Sequence, residues 1–481
     1  MDKFKIRINR KFTLLLAGSA LGIFLGGNVI GVFQGKPSSK LNAAEVQEEL
    51  GLPEIPIKEE NKLTSELRFS IDKAFKNATE WPETLKHGDR NTKIEYSFNP
   101  ELDTYIKKIL KQYRSDYSTV TVVDNESGQV LAAVGHVGKN NKFDSSLVLT
   151  ATHPSASLIK IITAAELMQN TKVNRETPFE FRGRSTTLFK YQLNESKKNR
   201  WVRTQSFESA FAQSNNVIFG KAAIQNLDSA RLVKMAENFG YNQTLINEFD
   251  FMKSNIHGAS DDYHLAELAS GFNDETVISP VHAATMASII ANNGVLKSPR
   301  VISRLVDSKT GEIVWENALV EKRVLSAEAS KEMQGMMEMT IDGGTARKSF
   351  RKMNTGYKNA LEIGGKTGSI TGGKPFGKRD WFAAYAIPRD SERGKGISIS
   401  VMNVNVKRWH VKSTMLAKNI IEYYYNNIQP MPITMVKMPR FISENRKNRV
   451  RNNKRTIASA RLKKRPETRI NKKKIILLKD I

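Results

Sequence analysis

The chain has 481 residues, 40% hydrophobic and 26% charged, which leaves room for two or three domains around a large core. It carries a net charge of +26 and no cysteine, so disulfides and thiolate metal sites are excluded. The charge is spread unevenly, and its distribution divides the chain.

Lys3, Lys5, Arg7, Arg10 and Lys11 precede an uncharged, apolar or small stretch from Phe12 to Phe33. About 20 such residues span a bilayer as a helix. The flanking charge places the N-terminus in the cytoplasm and the rest of the chain outside, as expected for the bacterial inner membrane. Residues 1–35 therefore predict a cytoplasmic basic stub and an uncleaved transmembrane signal anchor, because a cleaved signal peptide has a shorter apolar core. Residues 36–95 hold Pro53, Pro56 and glutamates from Glu45 to Glu60, and predict an acidic extracytoplasmic tether with one small helix near Leu63 to Phe75.

Order is expected from Tyr96. Apolar residues at Leu102, Tyr105, Ile106, Ile109 and Leu110 predict a helix over 100–113. Thr119 to Val123, a turn at Asp124 to Gly128, and Gln129 to Val134 predict a β-hairpin. From about 155 to 295 the apolar spacing is mostly helical. Strands are expected again at 301–307, 312–315, 364–369, 381–387 and 397–404, before a closing helix over 414–425. The pattern implies an α+β domain over 96–430, with one central antiparallel sheet built from both chain ends and a helical lobe inserted between them. Residues 431–481 differ: Arg440 to Ile481 holds sixteen Lys or Arg against three acids. This basic tail is expected to be disordered. With an external location, nucleic acid is not an expected partner; anionic lipid headgroups or wall polymers are.

Three short motifs carry the chemistry: Ser157-Leu158-Ile159-Lys160, Ser214-Asn215-Asn216 and Lys366-Thr367-Gly368-Ser369. Each also recurs elsewhere, as S-x-x-K at Ser70 and Ser349, S-x-N at Ser97 and Ser443, and K-T-G at Lys309. Context separates the copies. Ser157 opens an apolar run after Pro154, and Lys160 projects from the same helix face about 300° on. Flanked by Ile159 and Ile161, Lys160 is desolvated, which favours its neutral form and lets it take a proton from a serine hydroxyl. Lys73 and Lys352 have charged neighbours, and Lys309-Thr310-Gly311 is a turn between two strands. Lys366 suits a carboxylate, and Gly364, Gly365, Gly372 and Gly373 around it would let a ligand lie along the backbone as an added strand. Ser214 with Asn216 could relay a proton and hold a peptide carbonyl. Ser157 and Ser214 can also be read as helix caps, and 364–373 as a flexible hairpin.

Taken together the motifs resemble the transpeptidase domain of penicillin-binding proteins. Asn99-Pro100-Glu101-Leu102, Val123 to Ala132, Gly271 to Gly294, Gly343-Gly344-Thr345-Ala346 and Asp380 to Tyr385 are also similar to that family. The resemblance covers 96–428 and implies a penicillin-binding/β-lactamase-like fold without cofactor or metal. It further implies that Ser157 attacks the bond between two terminal D-alanines of a peptidoglycan stem peptide while Lys160 accepts its proton. Ser214 and Lys366 would return a proton to the leaving amine, and Asn216 would orient the substrate. Thr367, Gly368 and Ser369 would bind its carboxylate, with the N–H groups of Ser157 and Ser369 as oxyanion hole. β-Lactams would acylate Ser157. The region before residue 96 is too short for the glycosyltransferase domain of bifunctional members, and Ser369 replaces the more frequent threonine. Readings that share the motifs are a D,D-carboxypeptidase, a non-catalytic penicillin-binding wall or scaffold protein, and a β-lactamase. The last needs a water-activating base, and Glu166 lies about 900° from Ser157, on the opposite helix face.

Overall fold

The computed structural model describes residues 63–432, except Asn77, 195–199 and 250–252. The expected membrane span and the basic tail from 433 onward lie outside the described residues, among which no helix is long and apolar enough to cross a membrane.

The chain enters through helix α1 (Ser65–Phe75) and a hairpin of β1 (Thr84–His87) and β2 (Arg90–Tyr96). The tether expected to run to residue 95 therefore ends earlier. Leu67, Ile71, Phe75, Leu85 and Ile94 are all buried in one apolar cluster. The hairpin holds only these last two as core residues among many polar ones, so its alternation is faint. Its order comes from pairing with a distant strand.

Helix α2 (Pro100–Tyr113) starts as the sequence predicts. Asn99 caps it by accepting the Leu102 N–H at 2.9 Å, Pro100 occupies the first turn, and Arg114 ends it in the left-handed conformation with φ 53°. Strands β3 (Tyr117–Asp124) and β4 (Val130–Val137) form the expected hairpin, followed by the short β5 (Lys142–Phe143). The helical lobe includes α3 (Lys160–Asn170), α4 (Asn216–Asn226), α5 (Asp262–Ser270) and α6 (Pro280–Ala291). Then come β6 (Ile302–Asp307), β7 (Ile313–Glu316), α7 (Ala327–Asp342), β8 (Leu361–Gly372), β9 (Gly377–Pro388), β10 (Ile397–Asn405) and α8 (Ser413–Tyr423).

One six-stranded antiparallel sheet runs β8-β9-β10-β3-β4-β5, so both chain ends do build it around the inserted lobe. The expectation that every late strand joins this sheet does not hold. Strands β6 and β7 join β1 and β2 in a separate four-stranded sheet ordered β1-β2-β6-β7. Strand β9 explains why the main sheet reads as a continuous apolar run. Phe382 and Ala384 pack on one face with α2 and α8, whereas Trp381, Ala383 and Tyr385 pack on the other with the helical lobe. Strand β8 is an edge, so part of its backbone remains free to meet a ligand chain.

Candidate active site

Ser157 reaches its position through a local irregularity. His153 and Pro154 pair with Ile278 and Val277, Ala156 takes a left-handed φ of 48°, and Ala156–Ile159 form a 3-10 turn. Helix α3 begins only at Lys160, so Ser157 lies one turn ahead of the α-helix rather than at its cap. Three residues complete one 3-10 turn, which aligns Ser157 with Lys160. The turn leans on Gly271, with φ +66°, where an added Cβ would stand 1.9 Å from the Ala156 carbonyl oxygen.

Lys160 is fully buried, with Nζ 2.8 Å from Ser157 Oγ, 2.7 Å from Asn216 Oδ1 and 2.5 Å from the Ser270 carbonyl. Burial, joined by the nearby Lys366 charge, pushes its amine well below the usual lysine range. The neighbours agree with a neutral amine. Asn216 donates from Nδ2 to the Thr186 carbonyl at 3.1 Å, so its Oδ1 faces Lys160 as an acceptor. That oxygen and the Ser270 carbonyl can only accept, and they take the two N–H bonds of a neutral amine. The remaining lone pair is left for the Ser157 hydroxyl. Oδ1 and one Nδ2 hydrogen of Asn216 are thus engaged within the protein and hold Lys160, while the residue also lines the cleft, where it is expected to orient the substrate.

Ser214 also has a left-handed φ, 56°, and it is not a cap: Asn215 caps α4 by accepting the Ile218 N–H at 3.2 Å. Lys366 Nζ lies 2.9 Å from Ser214 Oγ and 2.7 Å from the Thr367 carbonyl. Burial alone lowers Lys366 to about 7. Phe219 and Phe211 each present a ring 5.5 Å from the two lysines, Lys160 and Lys366 respectively.

Above the lysines, Ser157, Ser214, Asn216, Thr367, Gly368 and Ser369 line one cleft of about 690 Å³, within the usual range for a ligand site. All eight residues singled out in the sequence therefore meet in one place. The glycines beside the third motif serve a different end from the one expected. An added Cβ at Gly365 would stand 2.6 Å from the Phe382 ring, so that glycine admits a cross-strand neighbour rather than a ligand. Sequence reasoning missed Thr186, which anchors Asn216, and the Ser270 carbonyl, because backbone acceptors leave no residue signature. It also gave no role to Thr345, whose Oγ1 lies 2.6 Å from Thr367 Oγ1, although the Gly343 to Ala346 segment flagged its surroundings. Among the described residues no group of three or more His, Cys, Asp or Glu is placed to hold a metal ion.

The other motif copies have local partners. Ser70 sits in α1 and donates to the Glu66 carbonyl, buried Ser349 pairs with Thr414, and Ser97 bonds the Val130 and Arg300 carbonyls. Lys309 and Thr310 N–H groups bind Asp307 in the β6–β7 turn. Ser443 lies outside the described residues. Glu166 is buried away from Ser157, paired with Arg231 at 2.9 Å and accepting from Asn170.

Residues 118–422 match the family model described as the penicillin binding protein transpeptidase domain. Among curated proteins, penicillin-binding protein 3 of Bacillus subtilis is 24% identical over 279 residues, covering 56% of this chain and 38% of its own. Stage V sporulation protein D of the same organism is 24% identical over 234 residues, 47% of this chain and 34% of its own. The chain thus spans little more than a third of these relatives' length. Penicillin-binding protein 3 of Mycobacterium tuberculosis complexed with ampicillin superposes with a TM-score of 0.57 at 18% identity, covering 75% of this chain and 83% of that one. The D,D-transpeptidase domain of a peptidoglycan glycosyltransferase from Eggerthella lenta gives 0.55 at 17% identity, with 75% and 87% covered.

Proposed function

The chain belongs to the penicillin binding protein transpeptidase domain family, and from that premise we propose that it is a peptidoglycan D,D-transpeptidase working through a Ser157 acyl-enzyme. The carrying observation is the buried Lys160 Nζ, 2.8 Å from the Ser157 hydroxyl and held there by two oxygens that can only accept. Ser157 Oγ would attack the carbonyl carbon of the penultimate D-alanine, and its proton would pass to Lys160. As the C–N bond breaks, Ser214 and Lys366 would deliver a proton to the leaving D-alanine amine. Thr367, Gly368 and Ser369 on the β8 edge would hold the terminal carboxylate, with Thr345 fixing Thr367. The N–H groups of Ser157 and Ser369 would stabilise the oxyanion, a contribution of about 2.7–4 kcal/mol per donor. An amine of a neighbouring stem then attacks the ester carbon, cross-linking the wall and freeing Ser157.

Work of this kind belongs outside the cytoplasmic membrane, with residues 12–33 as the anchor and the basic tail against anionic lipid or wall polymer. The pairing of Glu166 with Arg231 speaks against β-lactamase action, because that carboxylate is not free to activate water. A fluorescent penicillin tests the central claim. Covalent labelling of the wild type that disappears in Ser157→Ala is expected; a folded wild type that takes no label would refute it. Incubation with a pentapeptide donor and an amine acceptor then gives the ratio of cross-linking to trimming.

A further inference from the structure

A basic, aromatic patch adjoins the cleft where β8 turns into β9. Lys378 pairs in register with Thr371, is exposed, and forms part of the cleft wall. Its ammonium lies 5.0 Å from the centre of the Trp409 ring, and that of Lys412 lies 3.6 Å from the same ring. Trp409 is 37% exposed, and Lys407, Arg408 and His410 beside it are exposed too. Burial lowers the affinity of Lys412 for its proton; Asp380 opposes this, whereas Lys378 and Lys348 add repulsion. The available counter-charge is small. Asp380 stands 4.0 Å from Lys412 but is itself buried and already accepts the Ser413 N–H at 2.7 Å. Asp274 lines the same cleft as Lys378, but among the described residues no ion pair to Lys378 is formed. Cations crowded around an exposed indole with one buried counter-ion form a field that an outside anion would relieve.

The position of the patch indicates which anion. Ser369 pairs with Asp380 and Thr371 with Lys378, so Lys378, on the neighbouring strand β9, stands two residues, about 7 Å, beyond Ser369 along the strand direction, with Trp409 and Lys412 behind it. Once the terminal D-alanine leaves, the acceptor amine must approach the ester carbon from the place the leaving amine vacated, by microscopic reversibility. The acceptor then lies over Thr367 and Ser369, and the rest of its stem can extend toward the hairpin tip. We propose that Lys378, Trp409 and Lys412 form an acceptor subsite that binds a free carboxylate on the incoming stem peptide. The inference rests on the transpeptidase reading. In the step it assists, the acceptor nitrogen bonds to the ester carbon, the bond to Ser157 Oγ breaks, and the amine proton passes through Lys160 to that oxygen.

The test is a partition experiment. Full-length protein is acylated with a thioester donor and offered either a peptide amine bearing a free carboxylate or the same peptide as its carboxamide. The ratio of aminolysis to hydrolysis is read for each. Both products come from one acyl-enzyme, so the ratio is independent of the rate of acylation. The wild type is expected to favour the free carboxylate by roughly fivefold, the scale of an exposed ion pair, and the preference should shrink at high salt. The double variant Lys378→Gln, Lys412→Gln should lose the preference, and Lys378→Arg should keep it. Equal ratios for the two acceptors in the wild type, or a preference retained in the double variant, overturn the subsite while leaving the transpeptidase reading intact. Failure to form any acyl-enzyme overturns both.

Discussion

Replacing Lys366 by methionine tests the electrostatics of the site through stability rather than activity. In the folded protein burial brings this lysine to about 7, against about 10.5 for an exposed one. Below pH 7 both states carry the proton and the penalty is complete. Between 7 and 10.5 the unfolded chain binds one more proton than the folded chain, so stability rises with pH; above 10.5 the penalty has gone. Integrating between these values, the lysine costs about 4 kcal/mol at pH 7.5 and about 1 kcal/mol at pH 9.5. Methionine removes that cost but also the bonds to Ser214 and the Thr367 carbonyl, worth about 1 kcal/mol each. The variant should therefore be more stable than wild type by about 2 kcal/mol at pH 7.5 and no more stable at pH 9.5, a change of about 2–3 kcal/mol. Urea unfolding at the two pH values reads the difference, to which Lys160 also contributes because its amine loses the Lys366 charge in the variant. A difference that stays constant from pH 7.5 to 9.5 would mean that Lys366 keeps its proton in the folded state, and the reasoning would be wrong.

Two further substitutions probe the first serine. Asn216→Asp places a carboxylate 2.7 Å from Lys160 Nζ and favours its charged form, so the acid limb of the pH profile for penicillin acylation should move up by about 1–3 pH units; an unmoved limb would separate Asn216 from the base. Gly271→Ala pushes a Cβ to 1.9 Å from the Ala156 oxygen at a φ of +66°, and should destabilise the fold by about 2 kcal/mol or more while slowing acylation. Unchanged acylation in that variant would show that the strained turn does not position Ser157.

The parts of the fold legible in the sequence were those whose pattern is local. Helix α2 announces itself through Asn99, Pro100 and its apolar stripe, and the β3–β4 hairpin through its turn. The β1–β2 hairpin was illegible because its two core residues, Leu85 and Ile94, make no period, and its partner β6 lies about 210 residues away. The same distance problem hid the separation of β6 and β7 from the main sheet, since alternation tells which face is buried but not which strand is the neighbour. The eight residues that meet at the cleft were singled out by motif, flanking context and family resemblance. The residues that hold them were not. Thr186 and Ser270 contribute carbonyl oxygens, which any residue type supplies.

At the site itself the chain departs from local preference in a consistent direction. Ala156 and Ser214, neither of them glycine, adopt left-handed φ, each at a cost of about 1–2 kcal/mol. Two lysines are buried there, and among the described residues no carboxylate is hydrogen-bonded to either. Such positions persist only where surrounding elements over-determine them, and here the lobe helices and the β8 edge do so from two sides. The consequence is a separation of roles between two chemically identical side chains. Lys160 is lowered by burial and again by the charge of Lys366, whereas burial alone brings Lys366 to about 7. Both amines are held below the usual lysine range, so neither is firmly protonated near neutral pH. Acid and base are then separated by the serine each lysine faces rather than by residue type. On this reading Lys160, beside Ser157, takes the serine proton, and the leaving amine receives one through Ser214 from Lys366, whose value close to ambient pH lets it release a proton.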